Sequence, residues 1–195
     1  DTAEAKYVVV IAVISGMEGN DRENLFLARE DLDILAELKK QNKNVILVLN
    51  TCGPIDMREI ETENVKTVFC TFLPGMAGAK ALSDMIAGVV NPSGKLTITF
   101  PERLEDAPTY MNFPGEGYHV NYGEGIYIGY RYYDKKKIHP RYAFGHGLSY
   151  TSFACTLDYV TSDTEKITAK VTVTNTGDCV GSEVVQIYIH DPYST

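Results

Sequence analysis

The sequence lacks several features that would each indicate a particular class of protein. Among its 195 residues, 18 are Lys or Arg and 26 are Asp or Glu, which gives a net charge of -8. Its longest basic run is Lys135-Lys136-Lys137, so Coulomb repulsion argues against phosphate-rich partners. No apolar run approaches the roughly 20 residues that span a bilayer. We therefore expect no nucleic-acid or membrane partner, and an uncharged substrate suits this chain better.

Metal-binding and cofactor-binding patterns are also missing. The four cysteines form no Cys-x-x-Cys pair and the four histidines show no ligand spacing, so we predict no metal site. Cys52 and Cys70 lie in or beside apolar runs, where we expect buried free thiols rather than disulfides. No Gly-x-Gly-x-x-Gly turn joins a strand to a helix, which disfavours a Rossmann-type nucleotide-binding domain. We therefore predict no cofactor.

The first hundred residues alternate between strand and helix patterns. Continuous apolar runs are typical of strands that are buried on both faces. Leu32, Leu35 and Ala36 form one apolar stripe at helical spacing. The predicted strands are 7–14, 44–50 and 65–72, with a further strand within 94–101, and the predicted helices are 29–41 and 78–88. This order predicts, over residues 1–101, part of a flavodoxin-like α/β sandwich with a parallel sheet.

The composition changes twice after residue 101. Residues 102–150 are rich in Pro, Gly and Tyr, and we predict an irregular excursion and linker without helices. From residue 151, apolar and polar residues alternate as in antiparallel strands with one solvent-facing side. The strands predicted there, 155–162, 166–177 and 182–192, are too few for a sandwich of about seven. We expect a truncated β-sandwich over 151–195, and self-association through uncovered edges.

Four segments together resemble the C-terminal half of glycoside hydrolase family 3, which includes β-glucosidases and β-xylosidases. They are EGNDRENLFL (18–27), NPSGKLTITFP (91–101), YGEGIYIGYRYYD (122–134) and YAFGHGLSYTSF (142–153). Residues 171–192 resemble the opening of the fibronectin type III-like domain that follows in many members. The resemblance implies an α/β sandwich followed by the start of a fibronectin type III-like β-sandwich.

The resemblance also implies that one catalytic group lies outside this chain. In that family a (β/α)8-type barrel carries the nucleophilic aspartate in a Ser-Asp-Trp-like segment. This sequence has no Trp, and its pairs Ser83-Asp84 and Ser162-Asp163 fall in a predicted helix and a predicted turn. The expected partners are therefore a barrel with the aspartate nucleophile and a β-linked oligosaccharide or glycoside substrate.

Glu18 is the main candidate for a catalytic group. It follows the first predicted strand by four residues, and loops at the carboxyl ends of sheet strands often carry such groups. Gly16 and Gly19 give the backbone freedom to bring the carboxyl forward. Retaining hydrolysis needs two carboxyl groups about 5–5.5 Å apart, and the acid needs a pKa raised by desolvation. By resemblance, Glu18 matches the acid/base of the family's Glu-Gly-x-Asp-Arg segment.

Two further carboxylates are alternatives with lower priority. Asp21 and Arg22 are interpreted as loop support, with Asp21 as an alternative acid. Glu124 is either a contact near the barrel, an alternative acid or a loop anchor that pairs with Arg131, and the residues favour the anchor. The tyrosines around Glu124 favour packing between domains over stacking on sugar rings.

The sequence thus predicts part of a retaining, exo-acting β-glycosidase of the β-glucosidase type. It would hydrolyse terminal non-reducing β-linked sugars, and this chain would supply the acid/base loop. Without the barrel nucleophile, we expect the chain alone to be inactive. The alternative is a non-catalytic carbohydrate-binding or scaffolding module with the same fold.

Overall fold

The computed structural model describes residues 4–14, 16, 18–63 and 65–190. The chain divides into two units, Asp1–Leu82 with Thr97–Phe144 and Ser83–Leu96 with Gly145–Thr195. The first unit contains a three-stranded parallel sheet and the second a two-stranded antiparallel sheet. An α/β unit followed by an antiparallel β unit confirms the predicted fold class.

The parallel sheet has the strand order β1-β2-β3. Its strands are β1 Tyr7–Ile14, β2 Asn44–Thr51 and β3 Thr67–Cys70. The last residue of β1, Ile14, lies opposite Thr51, the last residue of β2. Because the strands run in the same direction, the loops that leave their carboxyl ends start from one edge of the sheet.

Helix α1, Arg29–Lys40, connects β1 to β2. Its buried residues are Leu32, Leu35 and Leu38, so Leu38 completes the predicted stripe and Ala36 is only half-buried. The helix ends in a Schellman arrangement around Asn42, whose φ is 53°. The amide of Asn42 donates to the carbonyl of Lys39 at 3.0 Å, and the amide of Lys43 donates to that of Leu38 at 3.0 Å. This cap ends the helix immediately before β2.

The strands β1 and β2 differ in burial despite their similar composition. In β2, Leu47, Val48 and Leu49 are at most 1% exposed. In β1, Val10 and Ala12 are buried, whereas the alternate apolar side chains are exposed by 44–66%; these are Tyr7, Val9, Ile11 and Val13. The prediction that β1 is buried on both faces is therefore wrong for this structure. Only one face of β1 is covered by other described residues.

Two elements between β2 and residue 101 differ from the expected ones, whereas helix α3, Gly78–Ile86, was predicted. Helix α2, Arg58–Thr62, follows β2 without a sequence prediction. The strand expected within 94–101 is reduced to a single bridge between Phe100 and Tyr142. Phe100 is 2% exposed, so this segment packs in the core without forming a ladder.

The excursion 102–150 contains helical structure, which corrects the prediction that it has none. A 3-10 turn covers Leu104–Asp106 and helix α4 covers Tyr130–Lys136. Tyr133 on α4 is 5% exposed and its ring packs edge-on against Tyr132, with centroids 5.7 Å apart. Burial of this ring offsets the modest helix propensity of a Tyr-rich segment.

In the second unit, β4 Phe153–Ser162 pairs with β5 Ile167–Asn175. The third predicted strand, 182–192, does not form within 182–190, and its last two positions lie outside the described residues. Alternating residues specify which face of a strand is apolar, but they do not supply a neighbouring strand for the ladder. Within the ranges that the structure describes, no helix is long and apolar enough to cross a membrane.

Polar contacts connect the NPSGK segment (91–95) to the rest of the second unit. The side chain of Asn91 donates to the carbonyl of Val180 at 3.2 Å and accepts hydrogen bonds from the Ser149 hydroxyl and the Tyr150 amide. The Lys95 ammonium donates to the carbonyl of Gly147 at 2.6 Å and pairs with Glu183 at 3.0 Å. The NPSGK segment therefore links residues 147–150 to residues 180–183 within this unit.

Candidate active site

Glu18 lies on the loop that follows β1, at the carboxyl edge of the parallel sheet. Its side chain is exposed. It shares a turn with Gly19, whose φ of 83° lies in the left-handed region, where a residue with a Cβ is strained. The fold therefore presents this carboxylate to solvent.

Gly16 lets this loop pass close to the end of β2. A Cβ on Gly16 would lie 2.5 Å from the Cys52 sulfur, well inside van der Waals contact. Cys52 is exposed, which corrects the expectation of a buried thiol, and Cys70 is half-buried. Burial raises the pKa of the Cys70 thiol, partly offset by a hydrogen bond with the backbone of Phe72. All four cysteines are free thiols.

Arg22 connects the same loop to the segment that follows β2. Its Nη2 donates to the carbonyl of Pro54 at 2.7 Å. Its Nη1 is buried and has no hydrogen-bond partner among the described residues. The donor in this bond is a guanidinium group, so the bond is charge-assisted. Asp21, its neighbour, is exposed.

An ion pair between a buried carboxylate and an exposed arginine, not predicted from the sequence, supports the segment after β2. Asp56 is 2% exposed and pairs with Arg58 at 2.6 Å. Burial by itself raises the pKa of the Asp56 carboxyl, but hydrogen bonds from Arg58 and its charge outweigh that effect and the pKa is lowered. The available signal in the sequence was an acid two residues before an arginine, within an otherwise apolar Ile-Asp-Met segment.

Glu124 has a different environment from the one expected. It is half-buried, and its Oε2 is buried without a hydrogen-bond partner. The expected ion pair with Arg131 does not form, because the Arg131 guanidinium lies over the Tyr130 ring, 5.3 Å from its centroid. No hydrogen bond or ion pair between described residues joins Glu124 to the loop that carries Glu18.

The tyrosines of the excursion differ widely in exposure. Tyr118 and Tyr122 are fully or largely exposed, at 109% and 82%, whereas Tyr133 is buried. Burial, with the nearby Asp106 and Tyr132, raises the pKa of Tyr133 to about 12. Tyr133 therefore has a packing role, whereas the rings of Tyr118 and Tyr122 are accessible to solvent. In the part of the chain that the structure describes, no cluster of His, Cys, Asp and Glu could hold a metal ion.

Comparison with known proteins identifies the family. Residues 1–150 match the model of the glycosyl hydrolase family 3 C-terminal domain. The chain belongs to glycosyl hydrolase family 3. This finding confirms the resemblance that the four sequence segments predicted. It covers the parallel sheet, the loop that carries Glu18 and the Tyr-rich excursion of this family 3 chain.

The relatives of this family 3 chain include several proteins named as β-glucosidases. Thermostable beta-glucosidase B of Acetivibrio thermocellus is 41% identical over 182 residues, which cover 91% of this chain and 24% of that protein. Beta-glucosidase 3B from Thermotoga neapolitana superposes with a TM-score of 0.83 at 33% identity, over 90% of this chain and 26% of that structure.

A third relative gives the same result. The family 3 beta-glucosidase of Bifidobacterium adolescentis superposes with a TM-score of 0.84 at 36% identity, over 91% of this chain and 27% of that structure. The chain spans about a quarter of the length of the curated relatives that it matches. It is homologous to the C-terminal region of family 3 β-glucosidases.

Proposed function

We propose that this chain supplies the acid/base loop of a retaining, exo-acting β-glucosidase, with Glu18 as the acid/base. One observation carries the proposal: an exposed carboxylate lies on a loop at the carboxyl edge of the parallel sheet, and that loop is tethered nearby by Arg22. The names of the relatives support the reaction class. The substrate would be a glycoside with a terminal, non-reducing β-linked glucose.

The mechanism requires a second carboxylate, which we place on a (β/α)8-type barrel outside this chain. In the first step the barrel aspartate attacks the anomeric carbon while Glu18 gives its proton to the departing glycosidic oxygen. In the second step the Glu18 carboxylate takes a proton from water, whose oxygen attacks the anomeric carbon from the face that the leaving group vacated and releases the barrel aspartate as a carboxylate. Two displacements retain the anomeric configuration. Glu18 is exposed in this chain, and a barrel that packs over the loop would shield it from water.

The domain limits belong to the same proposal. Residues 1–101 would form the α/β sandwich portion, 102–150 the excursion and linker, and 151–195 the start of a fibronectin type III-like domain. The family match over residues 1–150 supports a boundary after residue 150. The antiparallel pair β4-β5 supports a β-rich domain beyond it.

Asp21 and Glu124 stay as alternative acids in this proposal. Asp21 is exposed on the same loop as Glu18, whereas Glu124 is half-buried on the excursion. A carbohydrate-binding module without catalysis is the second candidate, because the exposed rings of Tyr118 and Tyr122 are suited to stacking on a sugar.

The test is Glu18→Ala in the complete enzyme, assayed with two glucosides that differ in their leaving group. Dinitrophenolate leaves without a proton, so kcat/KM for that substrate should remain near the wild-type value. Methoxide needs a proton, and general acid catalysis is worth roughly 100- to 10,000-fold, so kcat/KM for the methyl glucoside should fall by about that factor. Glu23→Ala is the matched control, because Glu23 is an exposed glutamate on the same loop.

Equal losses for the two substrates would contradict the assignment of Glu18, and Asp21 and Glu124 would then be tested in the same way. Binding of glucosides without turnover by the complete protein would favour the carbohydrate-binding module. The chain alone should show no turnover of aryl β-glucosides, since a single carboxylate cannot form and resolve a glycosyl-enzyme.

A further inference from the structure

We propose that Arg22 is a positioning residue for Glu18, and that it acts by fixing the loop that carries Glu18 to the segment 52–56 that follows β2. This inference rests on the proposed role of Glu18 as the acid/base. It adds a residue that does not touch the reacting atoms but determines where the acid is held.

Three contacts connect the loop to that segment, and they follow one another in chain order. Gly16 packs against Cys52, with room for no Cβ between them. Arg22 donates to the carbonyl of Pro54 at 2.7 Å. Further along both segments, the carbonyl of Leu25 accepts from the amide of Asp56 at 2.8 Å. The two segments therefore run side by side, and Glu18 lies between the first contact and the second.

The segment 52–56 is also anchored by contacts that do not involve the loop. Its first turn is closed by Thr51, whose hydroxyl donates to the carbonyl of Gly53 at 2.7 Å and accepts from the amide of Gly53 at 3.2 Å. Ile55 is 0% exposed and Asp56 is 2% exposed. Arg58 holds the carboxylate of Asp56 through its Nε and Nη2. A loop bonded to this segment takes its position from the core of the unit.

Arg22 is the side chain that makes this connection closest to Glu18. The contact at Gly16 is steric, and Gly19 between the two contacts has a left-handed φ of 83°. The Arg22 guanidinium is half-buried and its Nη1 has no other partner among the described residues. Within those residues, the hydrogen bond with Pro54 is therefore the route by which the Arg22 side chain restrains the loop.

Such a restraint matters for proton transfer because the acid has to meet the glycosidic oxygen at hydrogen-bond distance. A misplacement of about 1 Å by a remote change can cost on the order of 100-fold in rate. Loss of the restraint should therefore affect the step that needs the proton, and leave the attack on an activated glucoside almost unchanged. A residue that only maintains the fold would affect both substrates alike.

The experiment compares Arg22→Met, Arg22→Lys and Arg29→Met in the complete enzyme. Arg29 is the matched control because it forms only an exposed pair with Asp33 on α1. For Arg22→Met we expect kcat/KM to fall about 100-fold for the methyl glucoside and less than threefold, roughly, for the dinitrophenyl glucoside. Arg22→Lys keeps a cationic donor group without the planar fork, so it should recover part of the loss. Arg29→Met should match the wild type.

A second readout follows the contact itself. Hydrogen exchange of the complete enzyme should show lost protection in residues 18–28 and at the Asp56 amide for Arg22→Met, but not for Arg29→Met. Equal loss of kcat/KM on both glucosides, or unchanged exchange in these segments, overturns the inference while the role of Glu18 stands. If Glu18→Ala itself shows no preference between leaving groups, the proposed function fails, and the exchange data still decide whether Arg22 holds the loop.

Discussion

The two units bury the apolar side chains of their strands to very different degrees. Leu47 and Leu49 in β2 are at most 1% exposed, whereas Leu157 in β4 is 60% exposed and Val173 in β5 is 41% exposed. All the buried apolar side chains of the described residues belong to the first unit. Helix α1 contacts β2 and α2, and among the described residues no helix packs comparably on the antiparallel pair. A second layer covers β2, whereas β4 and β5 alternate apolar with polar residues and lack such cover in that part of the chain.

The two units also differ in the interactions that stabilise them. The first unit is held by an apolar core, to which β2 contributes three consecutive buried side chains. The second unit relies on polar contacts made by Asn91 and Lys95. The candidate catalytic loop is attached to the unit with the apolar core, where a fixed geometry is easiest to maintain.

The strongest test of this comparison makes the same substitution in both units. Leu47→Ala removes a fully buried side chain, and it should lower the free energy of unfolding of the first unit by about 2–5 kcal/mol. Leu157→Ala removes an exposed side chain in the second unit, and it should cost about 0.5 kcal/mol or less. Urea denaturation of the two variants gives the measurement. Similar losses for the two leucines would show that the second unit has a buried core of its own.

The sequence predicted the parallel strands well because continuous β-branched runs have few alternatives. The predicted strand 7–14 coincides with β1, and the predicted helix 29–41 coincides with α1 except for its last residue. Burial of β1 on both faces was wrong, since periodicity identifies an apolar face but not what covers it. Helix α4 was missed because burial of Tyr133 stabilises a segment whose local composition reads as a loop.

Prediction of the site had a similar limit. Loop chemistry and family resemblance identified Glu18, Asp21 and Arg22, and the structure adds the partner of Arg22, the carbonyl of Pro54. Pro54 lies 32 residues after Arg22, and no sequence pattern indicates that its backbone carbonyl accepts this hydrogen bond. The pairing of Glu124 with Arg131 was expected from their proximity along the chain, but Arg131 lies over the Tyr130 ring instead. Spacing alone did not determine which partner a flexible side chain selects.

The next effect is smaller and tests the polar cohesion of the second unit. The Lys95 side chain is 14% exposed and bonds both Gly147 and Glu183. Lys95→Met should therefore lower the free energy of unfolding of this unit by about 1 kcal/mol or more. Lys170→Met is the control, because the pair of Lys170 with Asp158 leaves the lysine 61% exposed, and about 0–1 kcal/mol is typical of exposed pairs. The two variants are compared by chemical denaturation, with hydrogen exchange of the β4 and β5 amides as the readout of unfolding. Equal costs would contradict a structural role for Lys95.

The smallest effect appears only in acid and concerns the first unit. Asp56 has its pKa lowered in the folded chain, since its bonds with Arg58 outweigh the effect of burial. Its contribution to stability is therefore complete above the ordinary aspartate pKa of 3.8, and it is lost as the pH falls through the lowered folded pKa. Asp56→Asn should make the unfolding free energy less dependent on pH below the ordinary aspartate pKa. Asp33→Asn, in an exposed pair, should leave the acid profile unchanged, and an equal flattening by both variants would contradict this role of Asp56.

The central claim is that Glu18 is the acid/base, and rescue of Glu18→Ala by azide tests it most directly. With the complete enzyme and dinitrophenyl β-glucoside, the glycosyl-enzyme should form rapidly and then persist, because water has lost its base. Azide needs no deprotonation, so it should restore turnover and yield glucosyl azide of retained, β configuration. Turnover that does not respond to azide, with glucose as the sole product, would contradict the assignment of Glu18.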